Sequence, residues 1–394
     1  MKGDYLLIGS HIQSSRSSKT AISIVIALLA TGFSVSPIFF LARPSIQSPA
    51  TSSQQITFGD WNDIQPAYSD SGTIAYSSDR TGSYQIFTMD SSGSHETQRT
   101  AISTGDALYP EFSPLGNLLS YLWTHDGYTD LCFVTIFQYP DFPSSSCATS
   151  YAHVGIHYSW SANGQIIAYD TGSHINLYYV NENRTVAFPF NGTAYEPEFC
   201  GASALCFTGS TNHPNETAIW ISTIDGTNLT RLSWTGRDFL PEYSPAVRMV
   251  LYLANYTGSP EAWVVGTNGT LDNVLFQIIP STSTYYPPPD LPKISMSSPP
   301  EWNPVADQVL VTGMMSDKAS HFVVANVTSV PMIANGVIYS VTAFSVIKFI
   351  PSFPIQAMWN PNGKDIIYVS NSSGFEKIYL LILGSTSLTP AYGS

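Results

Sequence analysis

The chain has 394 residues, with 15 basic and 28 acidic side chains and a net charge of −13. Beyond Arg43 the balance steepens to 11 basic against 27 acidic side chains, or −16. That excludes the basic patch a nucleic-acid-binding protein needs and opposes docking on anionic lipid. Charged residues make up only 11% of the chain, against about 25% in an ordinary soluble domain.

Residues 1–19 form a short leader containing Lys2, Arg16 and Lys19. Thr20–Leu41 (TAISIVIALLATGFSVSPIFFL) then runs for 22 positions without a charge, enough for a helix to span a bilayer. The basic residues before it place the leader in the cytoplasm and the rest of the chain outside. A signal anchor is the favoured reading; a cleaved signal peptide is its rival. Residues 42–53 are a Pro/Ser-rich linker.

The stretch Gln65–Gly93 holds three short β-prone runs separated by turns at Asp70–Gly72, Asp79–Gly82 and Asp90–Gly93. It is one copy of a recurring unit. An aromatic residue, usually preceded by Pro-x and followed by Ser or Asn, returns at Tyr68, Phe112, Trp160, Phe199, Tyr243, Trp302 and Trp359. The spacings are 44, 48, 39, 44, 59 and 57 residues. A meander of four short strands at such a period cannot bury its faces alone, so the units must stack as the blades of a propeller.

The pattern Pro-x-aromatic-Ser-Pro-x-Gly, as in Pro110–Gly116, followed by a strand such as Ile86-Phe-Thr-Met-Asp90, resembles the TolB-type, WD40-like β-propeller repeat. The resemblance covers 54–394. It implies an all-β fold of four-stranded antiparallel blades. Seven copies argue for seven blades; six is the alternative, since TolB-type propellers often have six. The repeat is a scaffold motif and carries no catalytic residues. Gln54–Phe58 reads as a last strand placed before the first blade, which would close the ring; Thr386–Thr389 is the competing closure. Val274–Ser298, including Tyr285-Tyr-Pro-Pro-Pro-Asp290, reads as a loop excursion. Val327–Phe353 reads as β-prone, with Asn335-Gly336 as a hairpin turn.

Four cysteines suit an oxidising compartment and suggest the pairs Cys132–Cys147 and Cys200–Cys206, out of three possible pairings. Eight N-x-S/T sequons, at Asn183, Asn191, Asn215, Asn228, Asn255, Asn268, Asn326 and Asn371, suggest glycosylation. The competing explanation is that Asn, Ser and Thr are simply turn residues.

Four copies share Pro-Glu-aromatic, giving Glu111, Glu198, Glu242 and Glu301; three copies place Asp63, Asp106 and Asp238 shortly before. On the innermost strands these could form an acidic ring at a channel mouth, binding a cation or a basic peptide. The alternative, favoured here, is that each Glu braces the next blade by accepting its backbone N–H groups. His125, Asp126, His153 and His157 make a poor metal set, since residues i and i+4 of a strand lie about 13 Å apart. The sequence contains no G-x-S-x-G, phosphate loop or Rossmann fingerprint, and no cofactor is expected.

The expected function is a membrane-tethered, extracytoplasmic binding or scaffold module for an envelope protein, peptide or glycan. The alternative is a carbohydrate-active lyase or hydrolase that uses the channel carboxylates.

Overall fold

Turn chemistry sets the local structure. In the first repeat Gly72, Gly82 and Gly93 donate their N–H groups to the carbonyls of Ser69, Asp79 and Asp90, closing the three turns read from the sequence. The computed structural model describes residues 51–136, 145–211, 216–234, 236–255, 261–267, 294–296, 299–315, 320–332, 336–348 and 354–383. The expectations for the leader, the 20–41 span, most of the linker, Asn215, Asn268, Tyr285–Asp290, Asn335 and Thr386–Thr389 lie outside those residues. Among the described residues no helix is long and apolar enough to cross a membrane.

Strand pairing groups the described strands into seven antiparallel sheets. From the inside outwards, the first holds Asp63–Tyr68, Ile74–Ser78, Gln85–Met89 and Thr97–Gln98. The second holds Asp106–Phe112, Leu118–His125, Tyr128–Thr135 and Ser146–Cys147. The third begins with Tyr158–Trp160, the fourth with Thr193–Phe199 and the fifth with Asp238–Ser244. In the sixth, Ile294–Met296 and Glu301–Trp302 both pair with Gln308–Met315. A hairpin of Ser320–Met332 and Gly336–Lys348 follows. The seventh holds Pro354–Trp359, Asp365–Ser370 and Lys377–Leu383.

Apolar clusters lie between neighbouring sheets, as stacking requires. Ile86 of the first sheet meets Phe112 and Tyr121 of the second. Phe133 of the second meets Trp160 of the third, and Leu177 of the third meets Phe207 of the fourth. Ile219 of the fourth packs with Tyr252 of the fifth; Phe322 of the sixth packs with Trp359 and Tyr368 of the seventh. Tyr76 and Met89 of the first return to Ile367 and Ile378 of the seventh. The architecture is a β-propeller. Four of the anchoring aromatics, Phe112, Trp160, Phe199 and Trp359, are buried in these seams, and Trp302 is buried too.

The ring closes through the N-terminal strand, but earlier in the chain than Gln54–Phe58. Thr51–Gln55 pairs antiparallel with Tyr379–Leu383. The regular strand ends at Gln55, and Ile56 after it is buried, 2% exposed. Its N–H still reaches the Ile378 carbonyl at 2.9 Å, and the Thr57 hydroxyl accepts the Ile378 N–H at 3.0 Å. The excursion expected over Val274–Ser298 also needs correction, because Ile294–Met296 is a strand, paired with Gly313–Met315.

Both disulfides join the expected partners. Cys132 and Cys147 face each other on neighbouring strands with Cα atoms 3.9 Å apart, and Cys200–Cys206 closes the hairpin of the fourth sheet. Of the sequon asparagines, Asn183, Asn191, Asn228 and Asn371 are exposed and Asn255 is half-buried. Asn326 lies in the long sixth-sheet strand.

Entry to the innermost strands depends on tight glycines. Gly105 has φ +79°, and a Cβ there would sit 2.0 Å from the Thr124 carbonyl oxygen. Gly105→Ala should therefore cost about 2 kcal/mol in a denaturant melt. A loss below about 0.5 kcal/mol would mean the strand entry relaxes freely.

Candidate functional site: an acidic channel

The innermost strand carries a repeated irregularity. Its register shifts between Ile64 and Ala67, Leu108 and Glu111, Tyr195 and Glu198, and Phe239 and Glu242. In each case the residue before the proline adopts a left-handed conformation: Gln65, Tyr109, Glu196 and Leu240 all have φ of 52–53°. Proline suits the next position because a bulge has no ladder bond for it to donate. The N–H turned aside at the left-handed residue finds a partner in the preceding sheet. Tyr109 N–H donates to Gln65 Oε1 at 2.8 Å, Glu196 N–H to Asp170 Oδ2 at 3.0 Å, and Leu240 N–H to Glu196 Oε2 at 2.7 Å.

The glutamate after the proline does the same one position on. Glu242 Oε1 accepts the Trp302 N–H at 2.8 Å, and Glu301 Oε2 accepts the Trp359 N–H at 3.3 Å. Glu111 accepts the Trp160 N–H. In the third sheet Ser159 stands at this position, and its hydroxyl takes the Phe199 N–H at 3.0 Å. Each of these side chains ties its own sheet to the next, as read from the sequence for Glu111, Glu242 and Glu301; Glu198 departs from that reading and bonds Ser159 of the preceding sheet.

The same glutamates line one central cavity of about 760 Å³. Among the described residues its wall carries six glutamates, namely Glu111, Glu196, Glu198, Glu242, Glu301 and Glu376, with His157 and without any Lys or Arg. The first and seventh sheets place Ala67 and Met358 where the second, fourth, fifth and sixth have Glu, so their side of the wall is less acidic.

Burial raises all four repeat glutamates. Glu198 is pushed up to about 7, with a hydrogen bond from Ser159 opposing. Glu301 is pushed up to about 8, against the Trp359 N–H bond. Glu242 rises well above the usual range through burial and then the charge of Glu301, and Glu111 through burial and then Glu198. Glu196 is also raised by burial, despite bonds from the Leu240 N–H and the Thr208 hydroxyl. Burial lowers His157, with Asp170 opposing.

The three aspartates do not join this wall. Asp63 is fully buried between Lys377 Nζ at 2.9 Å and Arg80 at 3.2 Å. Asp106 Oδ1 accepts the Tyr84 N–H at 2.9 Å, and buried Asp238 accepts the Ser233 hydroxyl. They clamp the strand entrances. Glu196, Glu376 and His157 line the cavity without having been singled out for it. Glu196 and His157 occupy the position of Gln65 and Tyr109 in the repeat, and that register was the available signal. His125 pairs with Asp130 at 2.9 Å, while His153 stacks on Tyr128. Among the described residues no group of three or more His, Cys, Asp or Glu is placed to hold a metal ion.

No family model matches the chain, and no curated protein matches it. Solved structures do. An oligogalacturonate lyase in complex with manganese is 15% identical with a TM-score of 0.60, over 87% of this chain and 95% of that one. The β-propeller domain of the trilobed protease from Pyrococcus furiosus is 9% identical with a TM-score of 0.55, over 86% and 100%. TolB from Acinetobacter baumannii is 17% identical with a TM-score of 0.42, over 54% of each chain. At these identities the first two likenesses speak for the fold alone, and that fold is the β-propeller.

Proposed function

We propose that the protein is a membrane-tethered, extracytoplasmic binding module whose channel receives a positively charged, extended segment of an envelope protein or peptide. The carrying observation is a cavity wall with six glutamates and, among the described residues, no Lys or Arg. A cation entering such a wall restores the charged state of carboxyls that burial keeps protonated. The apolar side chains on the same wall, Ala67, Leu240, Ile355 and Met358 among them, favour a segment that alternates basic and apolar residues. The uncharged Thr20–Leu41 span, the two disulfides and the exposed sequon asparagines support the outside location.

The test is a calorimetric titration of the full-length protein in detergent with a Lys-Leu-Lys-Leu-Lys peptide. Binding should weaken with salt, and Glu242→Gln/Glu301→Gln should weaken it at least about tenfold at pH 8. No binding, or equal binding by the variant, would remove the channel from the reading. Cleavage of the protein's glycans by an endoglycosidase, seen as a mass shift, checks the outside location.

A second reading rests on a specific observation. Carboxyls raised to about 7 at Glu198 and about 8 at Glu301 are poised as general acids near neutral pH. A carbohydrate lyase or hydrolase would then show turnover of a polysaccharide panel that Glu198→Gln abolishes while the fold persists.

A further inference from the structure

On the rim of the second sheet, away from the channel residues, five rings gather around one buried carboxylate. The hairpin between Leu118–His125 and Tyr128–Thr135 turns through Asp126 and Gly127, both at positive φ (48° and 83°). Such a two-residue turn places His125 directly across from Tyr128. Trp123 stacks on His125 with centroids 3.8 Å apart. Tyr128 stacks on His153 at 5.2 Å, and Tyr151 meets Tyr128 edge-on at 5.2 Å with the rings at 90°.

Asp130 fixes this arrangement. It is 2% exposed and accepts from His125 Nε2 at 2.9 Å, the Thr149 hydroxyl at 2.7 Å, the Tyr151 N–H at 2.9 Å and the Ala152 N–H at 3.0 Å. Three of these four bonds come from residues 149–152 and tie that segment to the hairpin strand. They also stabilise a left-handed backbone at Tyr151, φ 52°, which costs an aromatic residue about 1 kcal/mol or more. What is gained is exposure: Tyr151 stands 65% exposed instead of folding into the core. A strained backbone that presents a large ring to water is a mark of a binding surface.

The rings leave no cage between them, since Tyr128 and Tyr151 touch. They form a corner of two perpendicular faces, with the Asp126 carboxylate, 82% exposed, beside it at 3.7 Å from His125 Nδ1. A pyranose ring fits such a corner. Its apolar C–H face lies on one ring, and its edge hydroxyls donate to the carboxylate and exchange hydrogen bonds with the Tyr hydroxyls. The exposed Asp126 opposes an acidic sugar. We propose that this corner of Tyr128, Tyr151, His153 and Asp126 is a binding site for neutral hexose glycans.

The experiment is saturation-transfer NMR and calorimetry on the full-length protein. The probes are maltotriose and mannotriose as neutral glycans, and trigalacturonate as the acidic counterpart. At least one neutral trisaccharide should bind. Tyr151→Ala should weaken it about tenfold or more, Tyr151→Phe should retain most of the binding, and Asp126→Asn should admit trigalacturonate. Circular dichroism confirms that each variant is folded. The proposal is overturned if neither neutral probe binds, if Tyr151→Ala binds as the parent does, or if a polyproline peptide binds at this corner and the sugars do not.

Discussion

Replacing Asp63 by Asn should lower the unfolding free energy by about 3–5 kcal/mol, measured by urea denaturation at pH 7. The carboxylate lies in the seam between the first and seventh sheets, fully buried, and Lys377 is only 1% exposed. Lys377 Nζ also donates to the Trp61 carbonyl and sits 5.0 Å above the Trp61 ring. Arg80 lies 4.4 Å above Phe87 and keeps a second partner in Glu96 at 2.7 Å. The substitution therefore leaves one ammonium buried against a neutral amide, while the guanidinium keeps a carboxylate. Removing both charges in Asp63→Leu/Lys377→Met should recover most of the loss, because no unpaired charge is then buried. An Asp63→Asn protein within about 1 kcal/mol of the parent would show that the seam does not depend on this pair.

The second large effect is a pH dependence set by the channel. A glutamate in the unfolded chain titrates near 4.5, whereas Glu301 in the channel is pushed up to about 8. Between those values the native state holds a proton that the unfolded state has lost. The group's contribution is complete below pH 4.5 and is lost as pH rises through 8. At about 1.4 kcal/mol per unit, reduced for the water reaching the channel, Glu301 accounts for about 3 kcal/mol. Glu301→Gln keeps an oxygen for the Trp359 N–H and loses the charge. It should match the parent at pH 4.5 and exceed it by about 2–3 kcal/mol at pH 9. Glu301→Ala loses the brace and should be weaker at pH 4.5. If Glu301→Gln leaves the slope of stability against pH unchanged, the channel carboxyl is not the group responsible.

The repeat was legible because Pro-x-aromatic has a mechanical cause. The aromatic fills the seam between sheets, so its spacing reports the stacking unit directly, as at Phe112 and Trp160. The glutamates were legible for the same reason, since each is fixed beside its aromatic. For the aspartates, nearness to the glutamates in sequence is not nearness along the channel. Five residues separate Asp106 from Glu111, and at about 3.3 Å per residue a strand carries them some 15 Å apart. Glu196 was hidden because its position holds Gln, Tyr and Leu in other copies. What unites those positions is a left-handed backbone, which has no single residue signature when the stabilising bond comes from a neighbouring sheet. The aromatic corner at Tyr151 was hidden because Asp130 gathers residues from two separate segments.

Ring closure by the first strand has a temporal cost. Ser53 bonds Tyr368 at 2.7 Å across 315 residues of sequence. At roughly 5–20 residues per second, the strand waits on the order of 15–60 s after synthesis before its partner exists. Throughout that interval the nascent chain carries an unsatisfied β-edge at its leading end. Completion is all-or-nothing: a chain truncated before Lys377 would have every other sheet and no clasp. Quality control could therefore read one edge to tell a finished ring from an abandoned one.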